Sequence, residues 1–193
     1  MKLTEKFNLP DVVRLPHRSF FLTGLSLDCL KIEQFFNEKD NSFIMWFYPG
    51  KKAMGPPGYC HGGLISTILD ESMGSCCWLN GHLVMTVKIE VRYKAKIPVN
   101  KEYISTSGID LIKGRRIFAE AEIVDSNNKV YALAKGTFLA IPPEKLEFPP
   151  EYAREIERAV HFIKLRQQGL PVEEIFKAQP TTLENPLISQ AKQ

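Results

Sequence analysis

Residues 55–80 read GPPGYCHGGLISTILDESMGSCCWLN. The opening Gly55-Pro56-Pro57-Gly58 cannot lie inside a helix, so it is loop. From Leu64 the apolar residues are Leu64, Ile65, Ile68, Leu69, Met73, Cys76 and Cys77. That is helical spacing with a wide apolar face, and Asn80-Gly81 ends it. The stretch predicts a loop feeding a long, largely buried helix, with His61-Gly62-Gly63 at the helix N-terminus. Two adjacent glycines cost backbone entropy and suit a point that something approaches closely. Free N–H groups and the positive end of the helix dipole make the same point attractive to negative charge. Asp70 falls inside this helix beside its apolar positions, and a buried carboxylate without a partner is expensive. Each residue alone fits an ordinary role: a structural His, packing glycines, an acid on a solvated edge beside Glu71. Their combination is more specific.

Around this stretch lie 193 residues, enough for one domain with a sizeable core. Hydrophobic residues make up 44% and charged residues 24%, an ordinary globular balance, and a net charge of +3 is too small to point to nucleic acid. The four cysteines, Cys29, Cys60, Cys76 and Cys77, have no C-x-x-C spacing and read as reduced thiols in a cytoplasmic compartment. The first twenty residues hold no apolar run fit for a signal peptide, and Glu5 and Asp11 argue against a transit peptide. No segment reads as a membrane span.

Residues 1–25 read as an irregular N-terminal arm, residues 26–142 as the domain body, and residues 143–193 as a helical extension and tail. Two strands are expected at 29–36 and 43–48, joined by the turn Asn37-Glu38-Lys39-Asp40-Asn41. After the helix the period changes to two. Leu83, Met85, Val87, Ile89, Val91, Tyr93 and Ala95 alternate with Thr86, Lys88, Glu90, Arg92, Lys94 and Lys96, which predicts a long strand with one buried face. Three more strands follow at 102–112, 116–125 and 130–141. In the last, Ala132, Ala134 and Gly136 are small enough for close packing against the helix. Pro149-Pro150 opens a C-terminal helix with an apolar stripe at Tyr152, Ile156, Ala159, Val160 and Ile163, and Gly169 stops it. A short helix follows Leu170-Pro171, and disorder is expected after Pro180. The mixed signs on these helices favour packing over a membrane surface.

Strand, strand, long helix and four antiparallel strands predict an α+β hotdog fold, one long helix wrapped by a curved antiparallel sheet. Residues 55–141 resemble the PaaI-type branch of the hotdog acyl-CoA thioesterases. The matching residues are His61-Gly62-Gly63, Asp70, Met85-Thr86-Val87-Lys88-Ile89, and Tyr93 through Pro98. The resemblance implies hydrolysis of an acyl-CoA thioester, without a cofactor, by a homodimer or homotetramer. It implies that the Gly62 N–H polarises the carbonyl and that Asp70 is the base or nucleophile. His61 would orient the thioester, with Gly63 beside it, and Thr86 would help hold the water. One departure is Gly55, where some relatives have an Asn or Gln that helps position the substrate. Coenzyme A phosphates need cations, which Lys94, Lys96, Lys113, Arg115 and Arg116 supply near strand ends.

Strand parity puts Thr86 on the charged side of its strand, away from the core of its own chain. Its role therefore requires that strand end to face a subunit interface. Helix geometry adds a second constraint. Asp70 follows Gly62 by eight residues, roughly 12 Å at about 1.5 Å per residue, so both cannot touch one thioester carbon. Catalysis then needs Asp70 from one subunit and His61-Gly62 from another.

Other chemistries fit less well. There is no G-x-S-x-G for an α/β-hydrolase nucleophile. Cys60 adjoins His61, but sequence neighbours do not make a catalytic pair. His17, His61, His82 and His161 have no metal-ligand spacing. Two alternatives remain: a hotdog enoyl-CoA hydratase or dehydratase, and a non-catalytic acyl-CoA-binding hotdog protein. An acid nine positions after His61 within one His-Gly-Gly unit favours the thioesterase.

Overall fold

The computed structural model describes residues 25–142 and 153–178, together with residues 5, 7, 9, 11–15, 22 and 145; for Glu155 only the backbone is described. Helix α1, Gly62–Leu79, crosses the inner face of a seven-stranded sheet. The strands are β1 (Val12–Leu15), β2 (Leu30–Asn37), β3 (Ser42–Pro49), β4 (Val84–Tyr93), β5 (Tyr103–Lys113), β6 (Arg116–Val124) and β7 (Val130–Ala140). Their spatial order is β1-β2-β3-β5-β6-β7-β4, with every neighbouring pair antiparallel. This is the hotdog arrangement, with β4 and β1 as the two edges.

Apolar spacing explains how α1 sits. Ile65, Ile68, Leu69, Met73, Cys76 and Cys77 are all buried against the sheet, as their positions predict. Phe43, Phe47, Tyr103, Ala132, Ala134 and Phe138 meet them. Close approach is visible at Gly136, where an added Cβ would lie 3.0 Å from Met73 Sδ. Each fully buried aliphatic side chain contributes about 1.5–3 kcal/mol, so this contact holds the helix in place. Asn80 caps α1 at its C-terminus, and Gly81 turns the chain with φ +85°, a conformation that favours glycine.

Two features differ from the sequence reading. The arm at 1–25 contains a strand: β1 pairs with β2, Val13 opposite Phe36. Phe7, Leu9 and Val12 pack over Phe35, Ile44 and Ile104 on the outer face of the sheet, where a second apolar cluster forms. The long strand after the helix also lacks one continuous buried face. Met85, Val87 and Tyr93 are 61%, 63% and 52% exposed. A β-bulge between Thr86 and Lys88 inserts one residue and reverses the alternation.

The C-terminal extension forms α2 (Ala153–Gln167) and α3 (Val172–Ala178). Gly169, with φ +85°, ends α2 as expected; Tyr152 and the tail after Pro180 lie outside the described residues. Phe162 stacks on Trp78 of α1 with ring centroids 4.1 Å apart, and Phe176 packs on Phe162. Arg166 is the clasp. Its Nε donates to Leu79 O at 2.6 Å and its Nη1 to Leu170 O at 2.7 Å, beside Glu38 of the β2–β3 turn.

Candidate active site

His61 is the N-cap of α1. Its Nδ1 accepts the Gly63 N–H at 2.9 Å. A neutral imidazole that accepts at Nδ1 carries its proton on Nε2, so the exposed edge of His61 presents a donor. The capping bond consumes the Gly63 N–H. The Gly62 N–H is first in the helix, at the positive end of its dipole, and the carbonyl four residues back, Gly58 O, accepts from Val99 N–H instead.

The glycines have different structural reasons. A Cβ at Gly63 would lie 3.0 Å from His61 Nδ1, so Gly63 makes room for the cap. At Gly55 a Cβ would press on His61, 3.0 Å from Cδ2 and 3.2 Å from Cα. A side chain at position 55 would need His61 to give by a few tenths of an ångström, whereas Gly55 leaves the cap undisturbed. Gly62 is unlike both. Its nearest neighbour to an added Cβ is the Tyr93 hydroxyl at 3.6 Å, an ordinary contact. Packing within the chain does not require a glycine there.

Asp70 lies further along α1, part-buried, on the side that faces β4. Thr86 Oγ1 donates to Asp70 Oδ1 at 3.0 Å. The parity expectation for Thr86 is thus corrected. Thr86 pairs with the buried Phe138, and beyond the bulge Ile89 pairs with Gly136, so both face the helix of their own chain. Burial raises the carboxyl pKa of Asp70, and the Thr86 bond opposes that rise by favouring the charged form.

Tyr93 completes the group; the sequence reading placed it in the matching segment Tyr93 through Pro98 but gave it no role in the site. Its hydroxyl donates to Gly62 O at 3.0 Å and lies 2.6 Å from Ser66 Oγ. Nothing in the sequence marks this role, because the acceptor is a backbone carbonyl. Within one chain, His61, Gly62, Gly63, Ser66 and Tyr93 gather at one end of α1, and Asp70 with Thr86 a helical distance away. The cations divide in the same way. Arg116 pairs with Leu139, which pairs with Met85, near the Thr86 end of β4. Lys94 follows β4 at its Tyr93 end. Arg115 Nε donates to Ala140 O at 3.1 Å. Cys60 is buried, and burial pushes its thiol up to about 12, away from the thiolate form that a nucleophile needs.

This geometry can be set beside known proteins. The family model of the thioesterase superfamily matches residues 57–132, from the loop before His61 into β7. That match takes in the central part of the hotdog domain. Acyl-coenzyme A thioesterase THEM4 of Rattus norvegicus is 31% identical over 112 residues, covering 58% of this chain and 48% of that protein. THEM4 of Xenopus laevis is 31% identical over 135 residues, covering 68% and 60%. The chain thus spans about half the length of the curated relatives it matches. Among solved structures, the PaaI protein of E. coli superposes with TM-score 0.53 over 58% of this chain and 80% of that one. At 15% identity this is a likeness of fold. No helix among the described residues is long and apolar enough to cross a membrane.

Proposed function

We propose that this chain is a member of the thioesterase superfamily and an acyl-CoA thioesterase, releasing a free acid and coenzyme A. The observation that carries the reading is Asp70: a part-buried carboxylate in an apolar helix, held by Thr86 and raised in pKa by burial. Such perturbation concentrates at functional sites. The names of the relatives, acyl-coenzyme A thioesterases, agree with it.

In this reading the thioester carbonyl oxygen accepts the Gly62 N–H, which strengthens as negative charge develops on that oxygen. The absent side chain at Gly62 leaves the approach open. His61 Nε2–H is a second donor beside it. Asp70 takes a proton from water as the water oxygen attacks the carbonyl carbon, or attacks that carbon itself. Thr86 holds the carboxylate. In the base route the C–S bond then breaks and the Asp70 carboxyl returns its proton to the departing thiolate. In the nucleophile route the C–S bond breaks to release thiolate and leave an Asp70 acyl anhydride, which water hydrolyses to the free acid and the Asp70 carboxylate. Coenzyme A phosphates would meet Arg115, Arg116 or Lys94.

Gly62 and Asp70 of one α1 are too far apart for this, so the site is composite. Edge strand β4 exposes Met85, Val87 and Tyr93, and among the described residues it pairs on one side only. A second copy joined to this edge about a two-fold axis would set the two α1 helices antiparallel, with Gly62 of each opposite Asp70 of the other. The reading is accordingly a homodimer, or a homotetramer of such dimers, and its four cysteine thiols suit a reducing, cytoplasmic setting.

A free-thiol assay with Ellman's reagent tests this, using acyl-CoAs of increasing chain length and one aromatic acyl-CoA. At least one should release thiol saturably, and Asp70→Asn should abolish the release. No release from any substrate overturns the reading. Hydration of crotonyl-CoA in place of thiol release would identify a hydratase instead.

A further inference from the structure

The Gly62–Gly63 peptide is held at both ends by side chains. Its carbonyl accepts from the Tyr93 hydroxyl at 3.0 Å, and its N–H donates to His61 Nδ1 at 2.9 Å. The neighbouring peptides are anchored as well: His61 N–H, of the Cys60–His61 peptide, donates to Ala53 O at 2.8 Å, and His61 O, of the peptide that carries the Gly62 N–H, accepts from Ile65 N–H at 3.2 Å. A carbonyl oxygen only accepts, so the single Tyr93 proton goes to Gly62 O. The hydroxyl at 2.6 Å, Ser66 Oγ, must then be the donor to Tyr93. The result is a directed relay from Ser66 through Tyr93 to Gly62 O.

The relay answers a local problem. Glycine has the widest backbone freedom of any residue, and two of them form the first turn of α1. The first turn also lacks intrahelical bonds for its own N–H groups. A donor that stabilises a developing oxyanion must be fixed before reaction, and a donor that wanders forfeits much of its effect. A tyrosine that is 52% exposed could satisfy its hydroxyl with water, yet here it is engaged by two groups of the helix.

We propose that Tyr93, oriented by Ser66, is the positioning residue for the Gly62 N–H. It acts through the Gly62–Gly63 peptide and not on the substrate. The inference rests on the thioesterase reading and assigns the part that aims its oxyanion donor.

The test combines kinetics with glycine-selective 15N labelling of the whole chain. On the acyl-CoA that the wild type cleaves best, Tyr93→Phe keeps the ring and loses the relay. It should lower kcat about tenfold, less than the 10²–10³-fold expected when an oxyanion donor is removed outright. KM should stay within twofold, and so should the position of the acid limb set by Asp70. Ser66→Ala should lower kcat by a smaller factor, and Ser66→Thr, which keeps a hydroxyl, should restore it. The Gly62 amide resonance should move in Tyr93→Phe and in Ser66→Ala. A Tyr93→Phe enzyme with kcat within twofold of wild type overturns the inference while leaving the thioesterase intact. So does a rise in KM with kcat unchanged. A wild type that cleaves no acyl-CoA removes the thioesterase reading instead; an unmoved Gly62 amide in both variants would then remove the relay too.

Discussion

Thr86 Oγ1 donates to Asp70 Oδ1 across 3.0 Å, joining the edge strand to the central helix of the same chain. The bond favours the carboxylate, while burial disfavours it more. Removing it should therefore raise the Asp70 pKa further. In Thr86→Val the acid limb of kcat/KM should move to higher pH, and Thr86→Ser should leave it near the wild-type position. A pH–rate profile of the three proteins decides the point; an unmoved limb in Thr86→Val would detach Thr86 from the chemistry.

Asp70 also makes a stability prediction of definite sign. Its folded pKa is raised above the unfolded value, so the folded chain binds this proton more tightly. Any stability gained from the group is present below the unfolded pKa and is lost as pH rises through the folded pKa. At neutral pH the buried carboxylate is thus a standing cost. Asp70→Asn removes the charge and can still accept from Thr86. Its Tm at pH 7 should equal or exceed that of the wild type, and the difference should shrink toward pH 4. Turnover should fall at least about 10²-fold, the lower end of general-base contributions. Near-normal turnover, or a clear loss of Tm, would count against the assignment.

The sequence revealed the helix and six strands because their apolar periods are long and unambiguous. β1 escaped notice because Val12-Val13-Arg14-Leu15 is four residues between Pro10 and Pro16, too short to show a period. Thr86 was harder. Met85 and Val87 continue the alternation of Ile89 and Val91, so nothing in the pattern marks the bulge. Those two residues are apolar without being buried, because they lie on an open edge. The periodicity there does not report the core of one chain. The roles of Tyr93 and Arg166 were invisible for another reason: both residues bind backbone carbonyls that only the fold brings near.

Arg166 should matter for stability out of proportion to its chemistry. Its side chain is 10% exposed, binds Leu79 O and Leu170 O, and lies over the Phe36 ring. Charge-assisted bonds contribute about 1.5–3 kcal/mol each, and they share one side chain here. Arg166→Ala should cost about 2–4 kcal/mol in urea unfolding. Arg166→Lys should recover little, since an ammonium cannot reproduce the planar fork. A loss under about 0.5 kcal/mol, as for an ordinary surface site, would mean that the extension does not depend on this clasp.

Arg116 is exposed near the Thr86 end of β4, while Arg115 is partly committed to Ala140 O. If this end receives the nucleotide, reversing charge at both should raise KM for acyl-CoA more than KM for a short thioester lacking the nucleotide. Arg116→Glu alone should show the same preference with less disturbance of the hairpin. Equal effects on the two substrates would remove these arginines from coenzyme A binding.

The composite site gives the most exacting prediction. Asp70→Asn and a His61→Ala, Gly62→Val double variant should each be inactive, for different reasons. In a heterodimer of the two, one site collects both lesions. The other site draws Asp70 from the double variant and His61-Gly62 from Asp70→Asn, so all its working groups are intact. Random pairing makes half of the dimers mixed, and each mixed dimer has one good site of two. Co-expression should therefore restore up to about one quarter of wild-type activity, given two equivalent sites about a two-fold axis. Orthogonal affinity tags, purified in sequence, would isolate the heterodimer and should raise recovery to about one half on the same symmetry. An isolated heterodimer with no activity would show that Gly62 and Asp70 of different chains do not meet.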